Sequence, residues 1–256
     1  MKKLIPILGA AALTLLTTSC LQQETTLSLN KDGSGTITET TTFGAQMLAM
    51  IGAAGGEAGD PLAQMIAQAK AKAEKSAPNM GDGVSLKDIK PLNEGGKKGM
   101  VVTYAFKDIN KLKYAFGQSL GGGPEEDKEK EPLDISYKDG LLTINNKYEK
   151  PKEDAEAPKE AIDESGLMMA KQMMGDMRIS LKLEFPGGIA ETNAEHTEAN
   201  KVTIMDVDFG KLIAQEDKFQ EFMKGQPGSP AAAKEMLRGV DGVVIETAEK
   251  LTVKLK

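Results

Sequence analysis

The 256-residue sequence has no tryptophan, one cysteine, one histidine, four tyrosines and seven phenylalanines. Each scarcity excludes something. One cysteine allows no intramolecular disulfide, so stability must come from burial. One histidine, His196, rules out a multi-histidine metal site and leaves serine-type catalysis a single candidate base. The core cannot rest on aromatic rings; it must use aliphatic and thioether groups, and fourteen methionines are present to do so. Positive charge is also scarce, with 32 basic against 38 acidic side chains and a net charge of −6. A nucleic-acid or anionic-lipid surface is therefore a poor expectation. No apolar run is long enough to cross a bilayer. The best, residues 4–16, would rise about 20 Å as a helix against about 30 Å of hydrocarbon.

What is present begins with that run. Met1-Lys2-Lys3 makes a positive start, residues 4–16 an apolar middle, and Thr17-Thr18-Ser19 a small-residue segment of the kind signal peptidases cut after. Cys20 follows directly, so the stretch resembles the lipobox of bacterial lipoproteins, with Thr17 standing where leucine is usual. The resemblance implies that the Cys20 thiol carries a diacylglycerol and becomes the first residue of the mature chain. Acyl chains contribute about 0.8 kcal/mol per buried CH₂, so two of them tether a protein firmly. By the same resemblance, Leu21 in place of an aspartate favours the outer membrane if the host is diderm. We expect residues 1–19 to be a lipoprotein signal peptide and 20–256 a single extracytoplasmic α+β domain. Loss of Lys2 and Lys3 with the signal leaves a mature charge of −8.

Turn chemistry divides the rest of the chain. Thr-rich alternating runs at 25–30 and 36–42 flank Asp32-Gly33, and a similar pair at 132–137 and 141–146 flanks Asp139-Gly140. Asp-Gly between strand-like runs predicts hairpins, because glycine accepts the positive φ of a tight turn. Residues 84–92 and 100–106 predict another, and 240–246 with 250–255 a last one. Residues 21–24 read as a short tether. The clearest half-buried strand, 177–185, alternates apolar and polar, with 201–208 as its return partner.

Helices are predicted at 45–51, at 61–76 behind an Asp60-Pro61 cap, after Asp108 with Ile109, Leu112 and Phe116, at 161–175, at 211–223 and at 230–238. In 161–175, Ile162, Met169 and Met173 share one apolar face. Val102-Thr103 with Asp108, Lys111 and Leu112 is echoed by Val202-Thr203 with Asp208, Lys211 and Leu212, a strand running into an Asp-capped helix each time. The tracts 121–131 and 149–160 are rich in Glu, Lys, Pro and Gly, and predict a flexible charged insert at about 121–160. The class expected is α+β, with antiparallel hairpins forming a curved sheet packed with several short helices.

Candidate chemistry is thin. The Asn30 to Gly35 turn is calcium-like in composition, but position twelve of such a loop would be Thr41 instead of an acid. Met174 and Met177 give one Met-x-x-Met spacing for copper(I), outweighed by packing. His196 falls in the polar connection between two strands and reads as a solvated loop residue.

The lipobox, Leu29-Asn30-Lys31-Asp32-Gly33-Ser34-Gly35, the Tyr104 to Leu112 segment, and Leu183-Glu184-Phe185-Pro186-Gly187 followed by Thr192-Asn193 together resemble LppM-like bacterial lipoproteins. That resemblance implies an exported α+β domain with a sheet curved around an apolar interior, a role at the envelope or in lipid or host contact, and no catalytic residues. The expectation is a non-catalytic envelope lipoprotein that binds a lipid, another apolar ligand or an envelope protein. It has no cofactor, no metal site and no nucleic-acid partner, is held to the membrane through Cys20, and has an open oligomeric state. The alternative is a secreted carboxylate-dependent hydrolase.

Overall fold

The computed structural model describes residues 21–54, 60–94, 97–114, 134–145, 164–224 and 230–256. In chain order these form β1 (Leu21–Leu29), β2 (Gly35–Phe43), α1 (Ala45–Ala54), α2 (Pro61–Ser76), a 3-10 turn (Ala77–Met80), β3 (Ser85–Glu94) and β4 (Lys97–Phe106). A second 3-10 turn (Ile109–Lys111), β5 (Asp134–Lys138), β6 (Leu141–Asn145), α3 (Glu164–Met174), β7 (Arg178–Glu184), β8 (Ile189–Thr192), β9 (Thr197–Glu198) and β10 (Lys201–Asp208) follow. The chain closes with α4 (Phe209–Ala214), α5 (Glu216–Lys224), α6 (Pro230–Met236), β11 (Val243–Ile245) and β12 (Lys250–Leu255).

The turn chemistry acts as expected. In the first hairpin Gly33 takes a φ of 87°, and the Asp32 carboxylate accepts from the Ser34 N–H at 2.9 Å and the Ser34 hydroxyl at 2.7 Å. Asp32 therefore serves the turn. Asp139 and Gly140 take φ of 51° and 75°, the paired positive values of a type I′ hairpin. Asp60 caps α2 by accepting from the Leu62 N–H at 3.0 Å, with Pro61 in the first turn. The two echoed aspartates are both caps: Asp108 accepts from the Asn110 N–H at the second 3-10 turn, and Asp208 from the Lys211 N–H at α4.

The fold is α+β, with two open sheets. The larger runs β11-β10-β7-β1-β2-β4-β3, with β9 on the edge of β10, and the smaller runs β5-β6-β12-β8. Pairing is antiparallel except between β1 and β7, which lie parallel with Thr25 opposite Leu181 and Leu27 opposite Leu183. Parallel neighbours need a long crossover, and here everything from β2 to α3 lies between them in the chain. No hairpin signal points to that pairing.

Four expectations need correction. Residues 21–24 are not a tether but the start of β1, paired residue by residue with β2 and β7. β11 and β12 are not a hairpin: β11 joins β10 in the large sheet and β12 lies between β6 and β8 in the small one. The helix expected at 211–223 is two, broken at Gln215. On α3 the buried face is Leu167 with Ala170 and Met174 packed beside it, whereas Met169 is 62% exposed and Met168 71%. Leu167, Ala170 and Met174 follow the i, i+3, i+7 spacing of one helical stripe as well as the methionines do, and branched leucine fills the site. Ile162 and Phe116 lie outside the described residues, as do most of the charged insert and all of residues 1–20.

Two cores result. One lies between the sheets, where Leu27, Leu29, Ile37, Tyr104, Phe106, Leu183 and Phe185 of the large sheet meet Leu142, Ile144, Leu251 and Val253 of the small one. The other packs the far end of the large sheet, Val207 with Ile179 and Met205 beside it, under Leu167, Phe209, Leu212, Ile213, Phe219 and Leu237 of the helices. Phe209 and Phe222 meet edge to face at 6.3 Å. The opposite face of the central strands carries the site described next.

Candidate functional site

Alternation along β1, β2 and β7 sends one set of side chains to the core and the other outward. On β1 the outward set includes Gln22 and Glu24, on β2 Thr40 and Thr42, and on β7 Arg178, Ser180 and Lys182. The register lines them up in rows. Arg178, Gln22 and Thr42 are direct neighbours across three strands, and so are Ser180, Glu24 and Thr40. With Leu92 of β3 and Lys97 of β4 as a rim, these residues line a groove of about 390 Å³, within the range of small-molecule sites.

The groove is polar and its charges are unevenly engaged. Arg178 reaches sideways to Asp206 of β10 through Nε at 2.7 Å and a terminal nitrogen at 2.6 Å. Those bonds raise the guanidinium above its ordinary value, and three of its five N–H donors remain for other partners. Lys182 pairs with Glu24 at 2.6 Å. Lys97 donates to the neutral amide oxygen of Gln22 at 2.9 Å, and among the described residues no carboxylate pairs with it. Thr42 and Ser180 are only 7% and 5% exposed, yet among the described residues neither hydroxyl oxygen has a hydrogen-bond partner. Buried hydroxyls are nearly always paired.

The core face holds a different cluster. Glu39 of β2 is buried opposite Thr25 and Val102, and the Tyr114 hydroxyl donates to it. Burial, reinforced by the Glu39 charge, pushes the neighbouring Tyr104 phenol up to about 12, with a hydrogen bond to Ser76 acting the other way. A folded value above the unfolded 10.0 means that the protonated phenol favours the fold. That contribution is complete below pH about 10 and is lost as pH rises toward 12. In an ultraviolet titration of the native protein, a tyrosine step is expected near pH 12, and Tyr104→Phe to reduce its amplitude by one phenol. An unchanged amplitude in Tyr104→Phe would refute the assignment.

The residues singled out from sequence scatter. Cys20 lies outside the described residues, immediately before β1. His196 stands between β8 and β9, its ring 3.9 Å from the Glu195 carboxylate. Lys234 and then the Thr247 hydroxyl hold Glu195 below the usual carboxylate range. Met174 packs at the second core. Among the described residues no group of three or more His, Cys, Asp or Glu side chains could hold a metal, and no helix is long and apolar enough to cross a membrane.

Sequence reasoning missed three features. The groove is one; its only advance sign is the polar half of the alternation in β1 and β2. Glu246 is another: only 2% exposed, its carboxylate accepts from the backbone N–H groups of Glu195 at 2.8 Å, Thr247 at 2.9 Å and Ala248 at 3.0 Å. The third is Gly117-Gln118-Ser119-Leu120-Gly121, which fits the Gly-x-Ser-x-Gly pattern. That pattern carries meaning on a strand-to-helix turn. It lies outside the described residues, and the nearest described strand before it, β4, ends at Phe106.

No family model and no curated protein matches the chain. Among solved structures it is similar to the NMR structure of the folded domain of LppM from Mycobacterium tuberculosis, with a TM-score of 0.38 and 9% identity over 93% of this chain and 92% of that one. The likeness is too slight for any residue role to be carried across.

Proposed function

We propose that the chain is a lipid-tethered, non-catalytic binding module of the cell envelope that takes its ligand in the outward groove of its large sheet. The observation that carries this reading is the pair of buried, unpartnered hydroxyls, Thr42 and Ser180, inside a groove rimmed by Lys97, Arg178 and Lys182. A fold keeps such groups at a cost in stability, and a bound ligand supplying the missing partners is one compensation for it. The groove's lining is mainly polar, which favours a polar ligand in place of the lipid or apolar ligand expected from sequence.

A non-catalytic role is supported by how the candidate acids are used. The Glu246 carboxylate is engaged by three backbone donors, which suits a structural pin better than a proton donor. Glu195 is held by Lys234 and Thr247, and the His196 ring lies 3.9 Å from the Glu195 carboxylate.

The tether places the groove. β1 starts one residue after Cys20, and Gln22 and Glu24 of the groove follow within four residues, so a diacylated Cys20 sets the groove at the membrane surface. In a diderm host the outer membrane is the favoured address. Palmitate labelling in the native host tests the anchor: the wild-type chain should incorporate label and Cys20→Ser should not. An unlabelled, freely released wild-type protein would overturn the tethered reading.

A further inference from the structure

We infer that the groove recognises an anionic monosaccharide, a sugar acid or sugar phosphate, lying across β1 with its oxyanion at the Thr42 row and its hydroxyls at the Ser180 row. This rests on the groove being the ligand site of the module proposed above.

The two unpartnered hydroxyls stand too far apart for one small group to reach both. Thr42 on β2 pairs with Gln22, and Ser180 on β7 pairs with Glu24, so the two stand diagonally across β1. Two strand spacings sideways and two residues along the strand put their Cα atoms about 12 Å apart. A single oxyanion is too short to satisfy both. A ring bearing a terminal oxyanion can reach each with a hydrogen bond of about 3 Å.

The two rows differ in chemistry. In the row of Thr42, Gln22 and Arg178, Asp206 neutralises the Arg178 charge but leaves three of its N–H donors, and Lys97, donating to the Gln22 amide, supplies the one charge uncompensated among the described residues. Thr42 adds a hydroxyl donor. Donors with positive charge suit a carboxylate or phosphate group. The other row differs, because the Lys182 ammonium and the Glu24 carboxylate neutralise each other beside the Ser180 and Thr40 hydroxyls. That mixture of donors and acceptors, with little net charge, matches sugar hydroxyls, which both give and take hydrogen bonds.

Calorimetric titration of the full chain tests the inference, with glucuronate and glucose 6-phosphate as whole ligands and glucose, acetate and inorganic phosphate as half-ligands. At least one whole ligand should bind saturably and at least tenfold more tightly than its own halves, and the better of the two separates carboxylate from phosphate. Lys97→Gln should reduce its affinity at least tenfold, toward that of glucose. Thr42→Val and Ser180→Ala should each weaken it at least fivefold while melting no lower than wild type. Whole ligands that bind no better than their halves, or binding untouched in the Thr42→Val/Ser180→Ala double variant, would overturn the inference. A neutral disaccharide control, N,N′-diacetylchitobiose, separates failure of this inference from failure of the proposed module. If it binds and the double variant loses it while both anionic sugars fail, the anionic-sugar inference falls and the binding-module reading survives. An unlabelled wild-type chain strikes the tether alone.

Discussion

Glu246→Ala should lower the unfolding free energy by about 3–5 kcal/mol, because removing a buried, fully engaged carboxylate strands its donors. Three backbone N–H groups, from Glu195, Thr247 and Ala248, converge on this one side chain. Glu246 follows β11 of the large sheet and precedes β12 of the small one, and its own N–H donates to the Ile204 carbonyl at 2.8 Å. It thus fixes the corner at which the chain leaves one sheet for the other. Glu246→Gln should cost roughly half as much: an amide oxygen can keep the Thr247 and Ala248 bonds, but its NH₂ would face the Glu195 N–H. Urea unfolding curves of the three proteins measure this directly. An alanine variant with the wild-type midpoint would show that the corner is held by something else.

Gly35→Ala should cost about 3 kcal/mol, at the upper end of overpacking penalties. Gly35 opens β2, between Leu29 of β1 and Phe106 of β4. A Cβ there would sit 2.0 Å from the Ser28 carbonyl oxygen and 2.5 Å from the Phe106 ring, so either the ladder or the ring must move. Phe106 is buried in the core between the sheets, and shifting it disturbs that whole end of the hairpin. Gly187→Ala is the control, since nothing lies within 4 Å of the added methyl, and its effect should stay within about 0.5 kcal/mol of zero. Equal loss in the two variants would show that the close approach at Phe106 is not what makes Gly35 necessary.

Much of the fold is written in local chemistry. Asp-Gly pairs place two hairpins because the turn requires positive φ, Asp60-Pro61 places α2 because an N-cap and a first-turn proline serve orphan amides, and strict alternation places β7. The rest depends on partners far away in the chain. Nothing local to residues 21–29 or 178–184 announces that β1 and β7 lie parallel, and the short link between β11 and β12 reads as a hairpin until Glu246 is seen pinning a corner. Met169 reads as core by helical spacing, but Leu167, Ala170 and Met174 make the stripe that is covered. The groove was the least legible feature, since its hydroxyls become neighbours only when β2, β1 and β7 are paired in register. Cys20 shows the reverse case: its role is argued from residues 1–20 alone, and the structure adds only that an ordered strand begins immediately after it.

Thr42 and Ser180 are kept for a ligand and not for the fold. The most direct measurement is the urea midpoint of the full-length Thr42→Val/Ser180→Ala double variant without ligand. Removing two unpaired buried hydroxyls at nearly constant shape should leave stability unchanged or raise it by about 1–2 kcal/mol. A fall of more than about 1 kcal/mol, the worth of an ordinary hydrogen bond, would contradict the claim by showing that the folded protein already satisfies those hydroxyls.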